Sequence, residues 1–402
     1  MPDRRIYFDH AATTPVDQRV VAAMLPYLTG AWGNPSSIYA EAREARKGLD
    51  AARRTVAEVL GAKPNEIVFT SGGTEADNLA LRGVATAARE RREALAAGAG
   101  GHIITTAVEH HAVLHECAVL ENEGFRVTYL PVDSEGFVNL GALRAALDEH
   151  TILVSIMYAN NEVGTIEPIA EAARIVKAHN PHIAIHTDAV QAAGALDLNV
   201  DALGVDLLSI AAHKIYGPKG VGALYVRGRT PFAAQTVGGS QERNRRAGTE
   251  NVAGAVALAT ALRLATDERN ARNAHVIALR DRLLDELPLR VPDTIITGPL
   301  DRARRLPNSA SFAFQCVEGE AVLLQLDLQG IAASSGSACT TASLEPSHVL
   351  AAMRVPESYL RGSLRLTLGT GNTTADIETL LDVLPPAVAR IRALQPAAGR
   401  SA

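Results

Sequence analysis

The chain has 402 residues, 47% of them hydrophobic and 21% charged, with a formal net charge of -5. This is the make-up of a soluble globular enzyme of about two domains, and the negative balance argues against nucleic-acid or anionic-membrane partners. No apolar run approaches the roughly 18 residues of a membrane span, and the charged start lacks the apolar core of a signal peptide, so a cytoplasmic location is expected.

Residues 6–14 read as a short strand running into a loop of small residues. Val20, Val21, Met24 and Leu28 then recur at the spacing of a helix over 15–28. Turn residues Gly33, Asn34 and Pro35 precede a helix over 38–60 that is rich in Ala, Arg and Glu, all good helix formers. A strand at 65–70 enters Ser71, Gly72, Gly73 and Thr74, and a helix is predicted from Ala76. A strand, a glycine turn and a helix N-terminus together make an anion site, because N–H groups and the helix dipole point at the ligand. Thr74 can add a hydroxyl. Many such junctions are merely capped ends, so this one alone tilts only slightly toward phosphate binding. Residues 82–101 read as a surface helix and a linker without chemistry.

A strand at 102–107 ends at Glu109, His110 and His111. Adjacent histidines in extended chain face opposite ways, which makes a poor metal site. A core filler, or a ring stacked on a flat cofactor, remains. Strands at 126–131, 151–159 and 183–187 then alternate with helices at 140–150 and 169–179. That rhythm predicts a mostly parallel, helix-covered sheet, whose ligands gather at the carboxyl ends of the strands. Thr74, His110, Asn161, Asp188, Gln191, His213 and Lys214 all fall at those ends, which suggests a single site.

Two apolar runs, 207–211 and 221–226, flank a turn carrying His213, Lys214 and Lys219. A lysine ending a buried strand in apolar surroundings has its neutral amine favoured, as a Schiff-base lysine requires. A solvated turn is the plainer alternative for an isolated His-Lys pair. Residues 238–251 are polar, basic and glycine-bearing, fitting either a solvated loop or one that reaches a phosphate or a partner subunit. Helices at 252–274 and 277–287 lead into what reads as a second domain, with strands at 294–297, 309–314 and 331–334 and a helix at 319–328. Cysteines at 117, 316 and 339 are too few and scattered for a disulfide framework or a zinc site. Cys117 and Cys316 read as packing. Cys339 lies among small residues in 335–347, a setting in which a thiol is accessible and can react. In 364–368 Arg365 faces away from its leucines, which suits bidentate capture of a carboxylate, with an ordinary surface arginine as the alternative. A helix is predicted from 374.

These residues, in this order, resemble the cysteine desulfurases of the NifS/IscS type, in the class-V aminotransferase branch of the fold-type I pyridoxal-phosphate enzymes. The resemblance runs nearly end to end. It is carried by Tyr7-Phe-Asp-His-Ala-Ala-Thr-Thr14, Gly33-Asn-Pro-Ser-Ser37, Thr70-Ser-Gly-Gly-Thr-Glu75, Glu109-His-His-Ala-Val-Leu114 and Asn160-Asn-Glu-Val-Gly164. It continues through His186-Thr-Asp-Ala-Val-Gln191, His213-Lys214, Arg246-Ala-Gly-Thr-Glu-Asn251 and Ser335-Gly-Ser-Ala-Cys339.

The resemblance implies the α/β fold of a pyridoxal-phosphate-dependent transferase of fold type I. A large domain over 15–260 would hold the cofactor on a mostly parallel, helix-covered sheet. Residues 1–14 and 261–402 would form a smaller α+β domain carrying the cysteine loop. It further implies that Lys214 binds pyridoxal phosphate as a Schiff base and later moves protons, and that Asp188 pairs with the ring nitrogen. His110 would stack on the ring and assist proton transfer, while Asn161 and Gln191 would bond its phenolate side. Gly73, Thr74 and His213 would hold the phosphate, with Thr249 supplied by the other subunit of a homodimer. Arg365 would grip the carboxylate of L-cysteine. Cys339 would take the substrate's sulfur as a persulfide, leaving L-alanine, and pass it to an acceptor protein in iron–sulfur cluster assembly or tRNA thiolation. The length of the cysteine loop resembles the NifS/IscS group more than the SufS group.

The family often carries a serine where this chain has Ala211, ahead of Ala212, His213 and Lys214. A hydrogen-bond donor to the cofactor phosphate is thus expected to be missing, at a cost of roughly 1.5–3 kcal/mol if nothing replaces it. Three other readings compete. A class-V aminotransferase does not need Cys339, and a non-catalytic adaptor would show erosion at Lys214, Asp188 or Cys339, which are all intact. A selenocysteine lyase uses the same scaffold and stands as the alternative.

Overall fold

The computed structural model of the chain describes residues 4–94, 101–336 and 346–394. Strand β1 (Ile6–Tyr7) precedes the strands of the central sheet: β2 (Ile67–Thr70), β3 (His102–Thr106), β4 (Arg126–Leu130), β5 (Thr151–Ser155), β6 (Ala184–Asp188), β7 (Leu207–Ala211) and β8 (Gly222–Val226). Their spatial order is β2-β8-β7-β6-β5-β3-β4. β8 runs antiparallel to both of its neighbours, and the pairs from β7 to β4 are all parallel. Strands β2, β3, β6, β7 and β8 are buried along their whole length, as a sheet covered on both faces requires.

One face carries α1 (Gln18–Met24), α2 (Pro26–Thr29), α3 (Ala40–Leu60), α6 (Leu140–Ala146), α7 (Ile169–His179), α8 (Val200–Leu203) and α9 (Val252–Asp267) around one core. The other is covered by α4 (Gly73–Ala94) and α5 (His111–Asn122), which bury Val68, Leu153, Ala184, Leu207 and Leu224. A second core gathers α10 (Arg269–Arg290), α11 (Gly319–Leu328) and α14 (Thr374–Leu394) against β9 (Thr294–Ile296), β10 (Ser309–Phe314) and β12 (Ser363–Thr367). These strands form an antiparallel sheet in the order β12-β10-β9. The chain's start joins this second core: Phe8 is fully buried in it, and β1 pairs in parallel with β11 (Ile331–Ala332). Two short helices, α12 (His348–Ala352) and α13 (Glu357–Leu360), complete the described residues. None of the described helices is long and apolar enough to cross a membrane.

Several boundaries differ from the sequence expectation. The helix expected over 15–28 is two helices, because Pro26 has no N–H with which to continue the ladder. The helix expected from Ala76 begins at Gly73 and runs unbroken to Ala94. Its middle is no surface feature, since Ala80, Leu81, Val84 and Ala85 are buried. The helix expected to reach 150 stops at Ala146, where Leu147 turns extended. The break expected near 275 lies at Glu268, where neither Gly nor Pro marks it. Contacts from elsewhere fix it: Arg272 donates to the carbonyl oxygens of Gly194 and Ala265, and Asn273 to that of Ala195.

Candidate functional site

The carboxyl ends of β5, β6 and β7 and the N-terminus of α4 surround a cavity of about 330 Å³. It is lined by Ala11, Ala12, Gly73, Thr74, His110, Asn161, Asp188, Gln191, Ala211, His213, Lys214 and Arg365, which come from seven separate stretches of chain. Every expected site residue of the described chain except Thr249 is therefore in one place. Thr249 is exposed and is not among the lining residues. Cys339 lies outside the described residues. Ser347 donates its hydroxyl to the Glu162 carboxylate at 2.5 Å, and a Cβ on Gly336 would lie 2.3 Å from the same carboxylate.

Lys214 closes the tight turn after β7. It was expected in apolar surroundings, and the structure corrects this. Its Nζ donates to the carbonyl oxygens of Ala11 and Ala12 at 2.5 and 2.7 Å, so the loop of small residues near the N-terminus holds the amine in place. Gln191 Nε2 donates to the same Ala11 oxygen at 2.9 Å. His213 sits in the turn with Lys214, its Nδ1 3.3 Å from Thr13 Oγ1. Burial and the Lys214 charge pull His213 down to about 4.

His110 is the N-cap of α5: its Nδ1 accepts the Ala112 N–H at 3.1 Å. Burial first, then the Lys214 charge, lower it to about 4, so it is neutral near pH 7. With Nδ1 accepting, the neutral ring carries its proton on Nε2. Asp188, at the end of β6, accepts the Val190 N–H on Oδ1 at 2.8 Å. Burial raises it to about 6, against the opposing pull of that N–H and of Lys214.

Arg365 reaches the cavity from β12 of the other sheet and is 3% exposed. Its guanidinium donates to Asn161 O at 3.0 Å and to Asp9 Oδ1 at 2.8 Å, while Nε has no acceptor. A buried, unused donor on a cation is a demand for an anion. The glycine at 73 is also demanded by space: a Cβ there would lie 2.8 Å from the Val190 side chain. Ala211 is fully buried and lines the cavity, so no hydroxyl stands at that point of the wall.

The sequence reading missed Asp77, which lines the same cavity from one turn inside α4. Positions 74 and 77 are three apart and share a helix face, but an acidic residue there carries no distinctive signal. Met157 and Val190 were also missed. Both are apolar lining residues with no polar signature. Cys117 is a buried filler as expected, its thiol pushed up by burial. His111 packs against His115 and His348, but no group of His, Cys, Asp and Glu among the described residues is arranged to hold a metal ion.

The cavity fits pyridoxal phosphate on its own features. It offers a lysine amine, a buried carboxylate, a neutral imidazole and the N–H groups of a helix start, around a glycine that leaves room for a close approach.

Comparison with known proteins agrees with this geometry. The class-V aminotransferase family profile matches residues 6–380. The chain is 51% identical over 393 residues to a cysteine desulfurase IscS of Dictyoglomus turgidum, covering 98% of this chain and 97% of the relative. It is 50% identical over 394 residues to the cysteine desulfurase IscS of Methanosarcina thermophila, covering 98% and 94%. Among solved structures, a NifS-like protein superposes with a TM-score of 0.88 at 39% identity, covering 96% of this chain and all of the other. The apo cysteine desulfurase of Thermococcus onnurineus gives 0.84 at 26% identity, covering 96% and 95%.

Proposed function

The chain belongs to the cysteine desulfurases of the NifS/IscS type, within the class-V aminotransferase family, and from that premise we propose how its residues divide the work. The enzyme is pyridoxal-phosphate dependent and takes sulfur from L-cysteine, leaving L-alanine. The observation that carries the proposal is the convergence of seven separate stretches on one cavity around Lys214.

When bound, the cofactor supplies an electron sink for the pair left as the substrate's Cα proton departs. Lys214 Nζ would attach it and would be placed to take that proton. Asp188 would present a carboxylate to the ring nitrogen. The first turn of α4, with Gly73, Thr74 and His213, would hold the phosphate. Asn161 and Gln191 would bond the phenolate side. His110 would pack on the ring and could give a proton from Nε2. Arg365 takes the substrate carboxylate, its spare Nε being the donor that the protein leaves unused. The Cys339 thiolate then attacks the substrate sulfur. An S–S bond forms as the C–S bond breaks, the electron pair goes to carbon, and a proton completes alanine.

We also propose a cytoplasmic homodimer, with Thr249 completing the partner's phosphate site. Exposure of Thr249 and of the apolar Trp32, Ile38 and Val237 supports this. The large domain is proposed as 15–260 and the small one as 1–14 with 261–402. The sulfur acceptor is proposed as an iron–sulfur scaffold or a tRNA-thiolation relay protein.

The test is alanine release and trapped persulfide from L-cysteine, in wild type, Cys339→Ala and Lys214→Ala. Wild type makes both. Cys339→Ala binds cofactor but carries no persulfide and turns over poorly. Lys214→Ala loses the visible absorption of the lysine-bound cofactor and makes no alanine. Alanine from selenocysteine but not from cysteine would overturn the reading in favour of a selenocysteine lyase.

A further inference from the structure

Beneath the cavity lies a polar layer that the reaction as described does not use. Side chains alternate along a strand, so His186 and Asp188 share the α4-facing side of β6. Ser155 on β5 and Ser209 on β7 flank His186 on that face. Ser155 Oγ lies 2.8 Å from His186 Nδ1, and Ser209 Oγ 3.0 Å from His186 Nε2. All three side chains are fully buried. A sheet interior normally holds apolar residues at such positions, as Leu153, Ala184 and Leu207 do one step below.

Asp77 comes down onto this row from α4. It is 1% exposed, lines the cavity beside Asp188, and its Oδ1 has no hydrogen-bond partner. The nitrogen within ion-pair reach is His186 Nε2 at 3.6 Å, and His186 is no cation: burial pushes it down to about 3. The other titratable groups facing this floor are Asp188, Glu109 and, around the cavity, Lys214, His110, His213 and Arg365.

Two buried carboxyls in the wall of one cavity oppose each other's ionisation. The partners decide which one yields. Asp188 accepts the Val190 N–H at 2.8 Å and feels the Lys214 charge, both of which favour its ionised form. Asp77 Oδ1 has no such donor, and the Asp188 charge works against its ionisation.

We propose that Asp77 is a positioning residue for Asp188: it keeps the proton of the pair, so that the pair's one negative charge stays on Asp188, facing the cofactor ring. The Ser155–His186–Ser209 row is its support, a set of neutral hydrogen-bonding groups that accommodates a carboxylic acid without supplying a counter-charge. An ionised Asp77 would drive the proton onto Asp188 and remove the partner of the ring nitrogen. The inference rests on the reading that Asp188 faces that nitrogen.

The experiment uses the holoenzyme and its apoprotein, with Asp77→Asn, Asp77→Ala and Asp188→Asn. Two quantities are read without turnover: the dissociation constant of pyridoxal phosphate, and the midpoint of the pH titration of its lysine-bound visible absorption. Asparagine copies a neutral Asp77, so Asp77→Asn keeps the dissociation constant within about threefold and the midpoint within about half a unit. Asp77→Ala removes the acid that the row supports, leaves a hole behind Asp188 and weakens cofactor binding by about tenfold or more. If Asp77 were ionised, its replacement by asparagine would remove a negative charge near the protonated Schiff base and lower the midpoint by about a unit. That result overturns the proposal, as does an Asp77→Ala enzyme that matches wild type. Should Asp77→Ala not fold, the Asp77→Asn midpoint decides alone. Asp188→Asn separates the two levels: if it leaves spectrum and affinity unchanged, the placing of Asp188 at the ring fails. If it changes them while the Asp77 variants behave like a lost charge, only the role of Asp77 fails.

Discussion

Two of the regions that bury carboxyls in this protein surround them in opposite ways. On the flank of the central sheet, Glu242 is buried against Arg53, whose guanidinium meets its two oxygens at 2.6 and 2.7 Å, while the Phe69 N–H adds a third contact at 3.1 Å. On the cavity floor, Asp77, Glu109 and Asp188 are buried with no guanidinium against them. The matched pair serves as a rivet. It holds the polar 238–251 segment to α3 and β2 through a turn in which Glu242, Arg243 and Asn244 all take left-handed backbone, a conformation that costs on the order of 1 kcal/mol or more per residue. The unmatched floor shifts its carboxyls toward the protonated form instead. Glu109 is pushed up to about 8 and Asp188 to about 6, both chiefly by burial. Compensated charge here fixes geometry, and uncompensated charge sets protonation where a cofactor would sit.

The comparison breaks most visibly at the rivet. Glu242→Ala leaves Arg53 buried and unpaired, and should cost about 3–5 kcal/mol in urea unfolding. Replacing both partners, Arg53→Met with Glu242→Leu, should recover much of that loss. An equal loss in the double variant would mean that the pair itself is not what holds the strap.

A smaller effect, with a sign that depends on pH, is expected at the floor. Glu109 has its folded value raised from 4.5 to about 8. Between those values the folded state keeps a proton that the unfolded state has released. Its contribution is therefore complete below about 4.5 and is lost as pH rises through 8. Glu109→Gln has no proton to release, so its Tm relative to wild type should climb from pH 5 to pH 8. A difference that stays flat across that range would show that Glu109 is already ionised when folded.

The smallest effect marks the surface. Arg46 and Asp50 pair at 3.1 Å across one turn of α3, the first exposed and the second half-buried. Arg46→Ala should change stability by less than about 0.5 kcal/mol, because water and salt screen the pair. A loss comparable to that of Glu242→Ala would erase the distinction between buried and exposed pairs.

Much of the site was legible because its chemistry needs unusual residues at strand ends. Asp188, His110, Lys214 and Arg365 each stand out against the apolar runs beside them. Asp77 did not, because an acidic residue in the first turns of a helix is the commonest thing a sequence can show there. Nor did the Ser155–His186–Ser209 row, since single polar residues inside three separate strands acquire meaning only when the strands lie side by side. The break at Pro26 was missed although its signal is local, whereas the end of α3 was legible because local chemistry sets it, at Gly61 in left-handed backbone. The turn at Glu268 was not, because its anchors are carbonyls some 70 residues away in the chain.

By itself the sequence determined the alternating architecture, the family, and the kinds of groups available for the chemistry. Those follow from periodicity, from turn residues and from side chains whose reactivity is their own. Only the tertiary structure decided which carboxyl keeps a proton, that Lys214 rests on the carbonyls of Ala11 and Ala12, and that Arg365 arrives from the second sheet with one donor unused. Burial and distance set those properties, and neither exists until segments far apart in the chain have been packed together.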